Sequence, residues 1–97
     1  RHTPPTMRAH ALVGSILTRD NYQCLYCGAP ANTIDHVVAC SRGGGRTWDN
    51  LVGCCFACNG RKGSRLLHNS GLKLRRSPGP PTSMMVWHSL RIFHAHR

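Results

Sequence analysis

The apolar residues near the start of this chain follow a helical period. Between residues 8 and 19 they recur every three or four positions. These positions are Ala9, Leu12, Val13, Ile16 and Leu17. The spacing predicts an amphipathic helix over residues 8–19, with one buried stripe. Asp20 and Asn21 have the turn chemistry expected at its end.

The middle of the chain predicts two short strands and a second helix. Residues 33–38 and 50–54 are rich in β-branched and other apolar side chains, which favours strands. Residues 41–47 between them contain three consecutive glycines flanked by arginines, and this stretch is predicted to be a loop. Residues 56 to about 67 predict a helix with a weak far end, because glycines lower helix propensity. Together these elements predict an α+β fold with an N-terminal helix.

The two ends of the chain differ from this middle part. We expect residues 1–7 to be a flexible leader and residues 8–70 to form the single domain. Residues 71–97 are expected to be an extension, whose proline-rich stretch at residues 77–81 predicts a rigid linker, since proline fits neither a helix interior nor a central strand. The apolar segment at residues 82–97 is typical of a packing element, so we expect any homodimer or accessory-protein contact there.

The length of the chain limits the size of its apolar core. The chain has 97 residues, and a domain of this size buries only about 60–65% of its unfolded surface. Such small domains usually need a disulfide, a metal or a partner. The six cysteines supply the means for the first two.

The charge of the chain indicates its class of partner. The formal net charge is +10, from 13 Lys and Arg against three Asp. Such an excess favours a nucleic acid, because each neutralised phosphate releases counterions. A ribosomal or generally adhesive basic protein is the alternative that charge alone leaves open.

No membrane or secretory segment is expected. No stretch reaches the roughly 18 apolar residues that span a bilayer. The apolar run at residues 11–17 is interrupted by Gly14 and Ser15, which is not typical of a signal peptide. We therefore expect a soluble protein in a reducing, cytoplasmic compartment.

Two Cys-x-x-Cys pairs are the clearest metal signal. They are Cys24, Cys27, Cys55 and Cys58. Paired turns of this kind are typical of tetrahedral Zn²⁺, and we predict a structural site because four thiolates leave no position for water. A secreted disulfide scaffold is the alternative, and Cys54 could replace its neighbour Cys55 as a ligand. Otherwise Cys40 and Cys54 are predicted to be small buried apolar residues.

Several further motifs resemble those of the HNH endonucleases and occur in the same order along the chain as in that family. They are Asp35-His36, Gly43-Gly44, Trp48-Asp49-Asn50-Leu51-Val52 and Cys55-x-x-Cys58-Asn59-x-x-Lys62-Gly63. The resemblance covers residues 19–65 and implies a small ββα-metal (His-Me finger) domain that hydrolyses DNA, leaving 5′-phosphate and 3′-hydroxyl ends. Asn59 stands where the family name has a histidine, which is similar to the recombination endonuclease VII type. Cys40 stands where proline is common.

The resemblance and elementary chemistry imply the same site roles. His36 is expected to be the general base, since histidine is partly neutral near pH 7. Asp35 and the side-chain oxygen of Asn59 would hold one Mg²⁺ or Mn²⁺. The resemblance implies that Asn50 ties the loop to the strand and orients His36. In a regular strand Asp35 and His36 point to opposite faces, so they share one site only if the strand is bulged or His36 acts from the other side of the scissile phosphate.

Five basic side chains near these motifs are expected to contact phosphates. They are Arg42, Arg46, Arg61, Lys62 and Arg65. Lys62 lies one helical turn from Asn59 and is expected nearest the scissile group, whereas a solvated basic face is the alternative for the others. The predicted function is a metal-dependent HNH endonuclease acting on DNA, of bacterial or phage origin. The alternative is a non-catalytic zinc-stapled module that binds DNA or RNA.

Overall fold

The computed structural model describes residues 11–81, in which a helix, two strands and a second helix follow one another. Helix α1 is Val13–Arg19, strand β1 is Thr33–His36, strand β2 is Leu51–Cys54 and helix α2 is Phe56–Lys62. Short 3₁₀ helices lie at Cys40–Arg42 and Leu67–Asn69. The predicted leader and the C-terminal apolar segment lie outside the described residues. The α+β prediction is confirmed.

The two strands form an antiparallel hairpin with a continuous register. Thr33 lies opposite Cys54 at one end, and His36 lies opposite Leu51 at the other. No extra residue interrupts the pairing between these ends. Strand β1 is therefore regular, and the bulge that would bring neighbouring side chains to one face is not present.

Strand β1 is two residues shorter than the sequence predicts. Val37 still donates its N–H to the carbonyl of Asn50, at 2.8 Å. At Val38, however, the Asn50 side chain replaces the partner strand: Oδ1 accepts from the Val38 N–H and Nδ2 donates to the Val38 carbonyl. A side-chain amide thus ends the pairing and starts the loop.

Helix α1 begins later than its apolar period predicts. Leu12 is extended (φ −93°, ψ 152°) and 66% exposed, so it does not belong to the buried stripe. Ala11 donates its N–H to the carbonyl of Arg46, which holds this part of the chain against the glycine loop. Ile16, in the same stripe, is fully buried.

Helix α2 ends at Lys62, about a turn before the predicted limit. Gly63 follows with φ +53°, a conformation that glycine adopts easily and that stops the helix. The N–H of Gly63 donates to the carbonyl of Asn59, closing the last turn. None of the helices between residues 11 and 81 is long and apolar enough to cross a membrane.

The hairpin separates two small apolar clusters, and alternate residues of β2 face each of them. Leu51 packs with Ala11 and Ile16 on the α1 side. Val52 and Cys54 pack on the other side, against the loop of the first cysteine pair. All four residues of β2 are buried, because the strand is covered on both faces.

A buried ion pair joins α1 to the rest of the domain. Arg19 donates from Nε and one terminal nitrogen to the two carboxylate oxygens of Asp20, at 2.7 and 2.9 Å. Its terminal nitrogens also donate to the carbonyls of Trp48 and Leu51, each at 2.7 Å. Asp20 in turn accepts the Gly53 N–H at 2.7 Å. The forked guanidinium of Arg19 can donate to Asp20, Trp48 and Leu51 at once, and these bonds compensate for its burial.

The predicted domain limit at residue 70 does not agree with the packing. Leu72 and Leu74 pack against the cluster beside the first cysteine pair. Arg76 donates to Asp20 at 2.7 Å, and the carbonyl of Gly79 accepts from Arg19 at 2.9 Å. Residues 72–79 are therefore part of the packed domain, although prolines exclude regular secondary structure at their end.

Candidate active site and metal centre

Four cysteines form one cluster at the edge of the hairpin. They are Cys24, Cys27, Cys55 and Cys58, and their sulfur atoms all lie within 4.8 Å of one another. The sulfurs of Cys27 and Cys55 are 3.7 Å apart, close to the roughly 3.8 Å that tetrahedral Zn–S bonds of about 2.3 Å require. The cluster therefore fits a tetrahedral metal ion held by four thiolates. Gly28, at φ +84°, makes the turn after the first pair.

Backbone hydrogen bonds favour the thiolate form of one of these cysteines, Cys24. Burial alone would raise the pKa of Cys24, but hydrogen bonds from three neighbouring backbone N–H groups outweigh it and lower the pKa to about 6. Burial raises the pKa of Cys58 above its usual range. A bound dication would favour the thiolate form at every position. Cys55 also caps α2, because its sulfur accepts the Cys58 N–H at 3.4 Å.

The two remaining cysteines have different surroundings. Cys54 is fully buried, as predicted, and burial raises its pKa above the usual range. It lies outside the metal cluster, so Cys55 is the member of this adjacent pair that is positioned to bind an ion. The prediction that Cys40 is buried is wrong. Cys40 opens the 3₁₀ helix in the loop, where its side chain is exposed.

Asp35 lies in β1, where it is buried and held by one hydrogen bond and one ion pair. The hydroxyl of Tyr26 donates to its Oδ2 at 2.6 Å. The ammonium of Lys62 lies 3.2 Å from the same oxygen. Burial and then the bond to Asp35 raise the pKa of Tyr26 above its usual range, so the hydroxyl keeps its proton and is the donor.

His36 ends β1 and is half-buried. Its Nε2 atom is buried and has no hydrogen-bond partner among the residues the structure describes. Its backbone carbonyl accepts a hydrogen bond from Nζ of Lys62, at 2.7 Å. The fold thus holds the backbone of His36 and leaves a ring nitrogen without a structural partner.

Asn50 closes the glycine loop onto the end of β1. Besides its two bonds to Val38, its Nδ2 donates to the carbonyl of Gly45 at 2.9 Å. Gly44 lies against this contact: an added Cβ would overlap the Val38 carbonyl oxygen and lie 2.8 Å from Nδ2 of Asn50. These contacts fix the backbone immediately after His36.

Asn59 projects from α2 toward β1. Its Nδ2 donates to the carbonyl of Ile34 at 3.2 Å, directly before Asp35 in the strand. Because the nitrogen is used by the backbone, Oδ1 is the side-chain atom that could bind a cation. The structure thus places three residues of the expected site on two adjacent elements: Asp35 and His36 on β1, and Asn59 on α2.

The structure separates the five expected phosphate contacts into two groups. The exposed ones are Arg42, Arg46, Arg61 and Arg65. Lys62 is fully buried, with its ammonium bonded to the carbonyl of His36 and paired with Asp35. Lys62 therefore lies inside the domain beside Asp35 and His36, and its expected contact with a phosphate near the scissile group stays a prediction. A side chain one turn from Asn59 on so short a helix faces the hairpin, and its length lets the ammonium reach β1.

Sequence reasoning missed two groups of residues around the site. Tyr26 stands at a spacer position within the first cysteine pair, and that position carries no separate signal. The sequence pattern predicts only a helix end at Arg19 and Asp20. The scarcity of carboxylates, three in the whole chain, could have indicated Asp20.

A two-stranded hairpin followed by a helix, with four clustered cysteines, defines a small ββα-metal domain. Residues 24–65 match the HNH endonuclease family, and this part of the chain belongs to it. Over 51 residues the chain is 41% identical to the CRISPR-associated endonuclease Cas9 of Corynebacterium diphtheriae. That alignment covers 47% of this chain and 5% of the larger protein. No solved structure matches the chain significantly.

Proposed function

We propose that this chain is a metal-dependent HNH endonuclease that hydrolyses DNA phosphodiester bonds. The observation that carries the proposal is the position of Asn59 on α2, beside the strand that holds Asp35 and His36. Asn59 reaches across from α2 to the carbonyl of Ile34, next to the Asp-His pair on β1. Membership of the HNH family supports the same conclusion. Binding of nucleic acid alone would need none of these three side chains.

His36 is the general base in this proposal. Its Nε2 has no partner among the described residues, and leaving such a buried group unpaired costs roughly 1–3 kcal/mol. A purely structural histidine would normally avoid that cost by finding a partner. Here the imidazole keeps capacity to accept a proton from the attacking water. Since β1 is regular, His36 acts from the other side of the scissile phosphate from Asp35.

Asp35 and Asn59 are the proposed ligands of one Mg²⁺ or Mn²⁺. Both present oxygen atoms, which these hard cations prefer. The ion would supply positive charge at the phosphate and at the leaving oxygen. Lys62 adds a fixed positive charge beside Asp35. The proposed Zn²⁺ at the four cysteines is structural and holds the start of α2, from which Asn59 projects.

Basic residues outside the site support DNA as the substrate. The net charge is +10, and Arg42, Arg61 and Arg65 are exposed around the loop and α2. Nε of Arg42 donates to the carbonyl of Ser64 at 2.8 Å, which places the loop beside the segment after α2. Such an arrangement provides several positive charges for one phosphate backbone. The relative's description as an endonuclease supports nuclease activity.

The proposal is tested by cleavage of supercoiled plasmid with zinc-loaded protein. Wild type is compared with His36→Ala and with His68→Ala, an exposed histidine that serves as the matched control. We expect wild type and His68→Ala to cleave with Mg²⁺ or Mn²⁺ and not with EDTA. His36→Ala should be slower by about 100-fold or more, the usual contribution of a general base.

Two results would contradict the proposed function or the proposed role of His36. If wild type and His36→Ala bind plasmid equally and neither cleaves it, the chain is a zinc-stapled binding module. If both cleave at the same rate, His36 is not the base.

A further inference from the structure

Tyr26 connects the cysteine cluster to Asp35. It lies between Cys24 and Cys27 in the loop of the first pair, and its side chain belongs to the apolar cluster beside β2. Its hydroxyl lies at the edge of that cluster and donates to Oδ2 of Asp35 at 2.6 Å. Both residues are buried, so water does not compete strongly for this bond. The loop that would hold the zinc therefore also holds the carboxylate.

The ammonium of Lys62 approaches the same carboxylate oxygen. Nζ of Lys62 is 3.2 Å from Oδ2 of Asp35, and it also donates to the carbonyl of His36 at 2.7 Å. The terminal torsion of an aspartate is broad, so a free carboxylate can present either oxygen in many directions. A hydrogen bond and an ion pair on one oxygen restrict that rotation. Oδ1, which neither Tyr26 nor Lys62 uses, is then presented in a fixed direction.

We propose that Tyr26 is a positioning residue for the catalytic cation: together with Lys62 it holds Oδ2 of Asp35 so that Oδ1 is presented to the Mg²⁺ or Mn²⁺. This inference rests on the proposed function, because it assigns Tyr26 to the same metal site. It links the two metal centres physically. One end of Tyr26 is fixed by the cysteine loop, and its hydroxyl fixes a ligand of the other centre.

The substitution that isolates this role is Tyr26→Phe. It removes the hydroxyl and keeps the ring in the apolar cluster, so the cysteine loop should fold and bind zinc as before. Tyr22→Phe is the matched control, because it makes the same chemical change four residues away on a side chain that is 54% exposed. Zinc content and melting temperature are measured first for both variants and wild type.

The decisive measurement is the binding of Mn²⁺ to zinc-loaded protein. Binding is detected as a decrease in the electron paramagnetic resonance signal of free Mn²⁺. We expect Tyr26→Phe to raise the dissociation constant for Mn²⁺ by about fivefold or more, as expected for loss of a hydrogen bond to a charged ligand. The Mn²⁺ concentration for half-maximal plasmid cleavage should rise by the same factor. Tyr22→Phe should change neither quantity.

A double-mutant cycle separates positioning from general weakening of the fold. If Tyr26 acts through Asp35, Tyr26→Phe should have no further effect on Mn²⁺ binding in an Asp35→Asn background. An unchanged Mn²⁺ dissociation constant in the Tyr26→Phe single variant would overturn the proposal. Loss of zinc from that variant at saturating zinc would overturn it too, since the hydroxyl would then serve the cysteine loop itself.

The outcome is distinguishable from failure of the proposed nuclease function. If Mn²⁺ binding depends on Tyr26 but wild type does not cleave DNA, the positioning role stands and the nuclease proposal falls. If wild type cleaves and Tyr26→Phe binds Mn²⁺ normally, the nuclease proposal stands and the positioning role falls.

Discussion

At the scale of single residues, buried charge is the unusual property of this small domain. Arg19, Asp20, Asp35 and Lys62 are all buried. Each of them is paired with an opposite charge, and the two cations also bond backbone carbonyls. Burying a charge is tolerated only with such compensation. The Arg19 pair connects structural elements, whereas the Lys62 pair lies at the candidate active site.

Arg19→Lys tests whether the fork of the guanidinium, and not only its charge, is required. A lysine keeps the charge but cannot bond both oxygens of Asp20 and the carbonyls of Trp48 and Leu51 together. We expect the free energy of unfolding to fall by about 2 kcal/mol or more. Arg65→Lys, on an exposed arginine, should change it by less than about 0.5 kcal/mol.

Thermal or urea unfolding of the zinc-loaded variants measures this difference. Equal stability of the two variants would show that the charge of Arg19 suffices and that its hydrogen-bond network does not stabilise the domain.

At the scale of elements, the loop between the strands has a defined shape despite its three glycines. Asn50 bonds both ends of the turn, at Val38 and Gly45. Gly44 lies so close to the Val38 carbonyl that a side chain has no room. Gly45, the next residue, has only an ordinary contact 3.7 Å away from the position of a Cβ. Gly43, on the other side, has open space but a φ of +92° that disfavours any residue other than glycine. The run thus contains two positions that require glycine and, at Gly45, one that does not.

This difference predicts opposite effects for adjacent alanine substitutions. Gly44→Ala should destabilise the domain by roughly 2 kcal/mol or more, because its Cβ meets backbone that cannot move without breaking the Asn50 bonds. Gly45→Ala should be neutral or slightly stabilising, by up to about 1 kcal/mol, since alanine reduces the freedom of the unfolded chain. The melting temperatures of the pair measure it, and similar losses at both positions would contradict this view of the loop.

At the scale of the whole molecule, the cysteine cluster connects parts of the domain that are distant in sequence. It joins the loop after α1 to the junction of β2 and α2, and Leu72 and Leu74 pack over the same region. The helices are seven residues long each, and isolated helices of that length are not stable. A structural Zn²⁺ contributes about 10–16 kcal/mol of apparent binding energy in comparable small domains. That is as large as the whole stability of a typical domain.

We therefore expect zinc removal to unfold the protein. Chelation should abolish the cooperative thermal transition and the cleavage activity, and excess Mg²⁺ should restore neither. Cys55→Ser should lose stoichiometric zinc, whereas Cys40→Ser should keep it because Cys40 is exposed and outside the cluster. A chain that stays folded and active after verified loss of zinc would disprove this prediction.

Local patterns predicted the elements well, and their limits less well. The β-branched stretches and the two cysteine pairs identified the hairpin and the cluster, because alternation and ligand spacing are local properties. The strand and helix limits depended on contacts that no period records. Asn50 ends β1 early, Gly63 ends α2, and the bond from Ala11 to Arg46 delays α1.

The sequence by itself determined which chemical groups are available: four spaced thiols, an Asp-His pair, an asparagine after the last cysteine, and a large positive charge. Only the tertiary structure decided how they are used. It buried Lys62 beside Asp35, directed Tyr26 to the same carboxylate and exposed Cys40. Burial and hydrogen-bond partners arise from residues distant in sequence, so a charged or polar side chain reveals its role only when the fold shows what surrounds it.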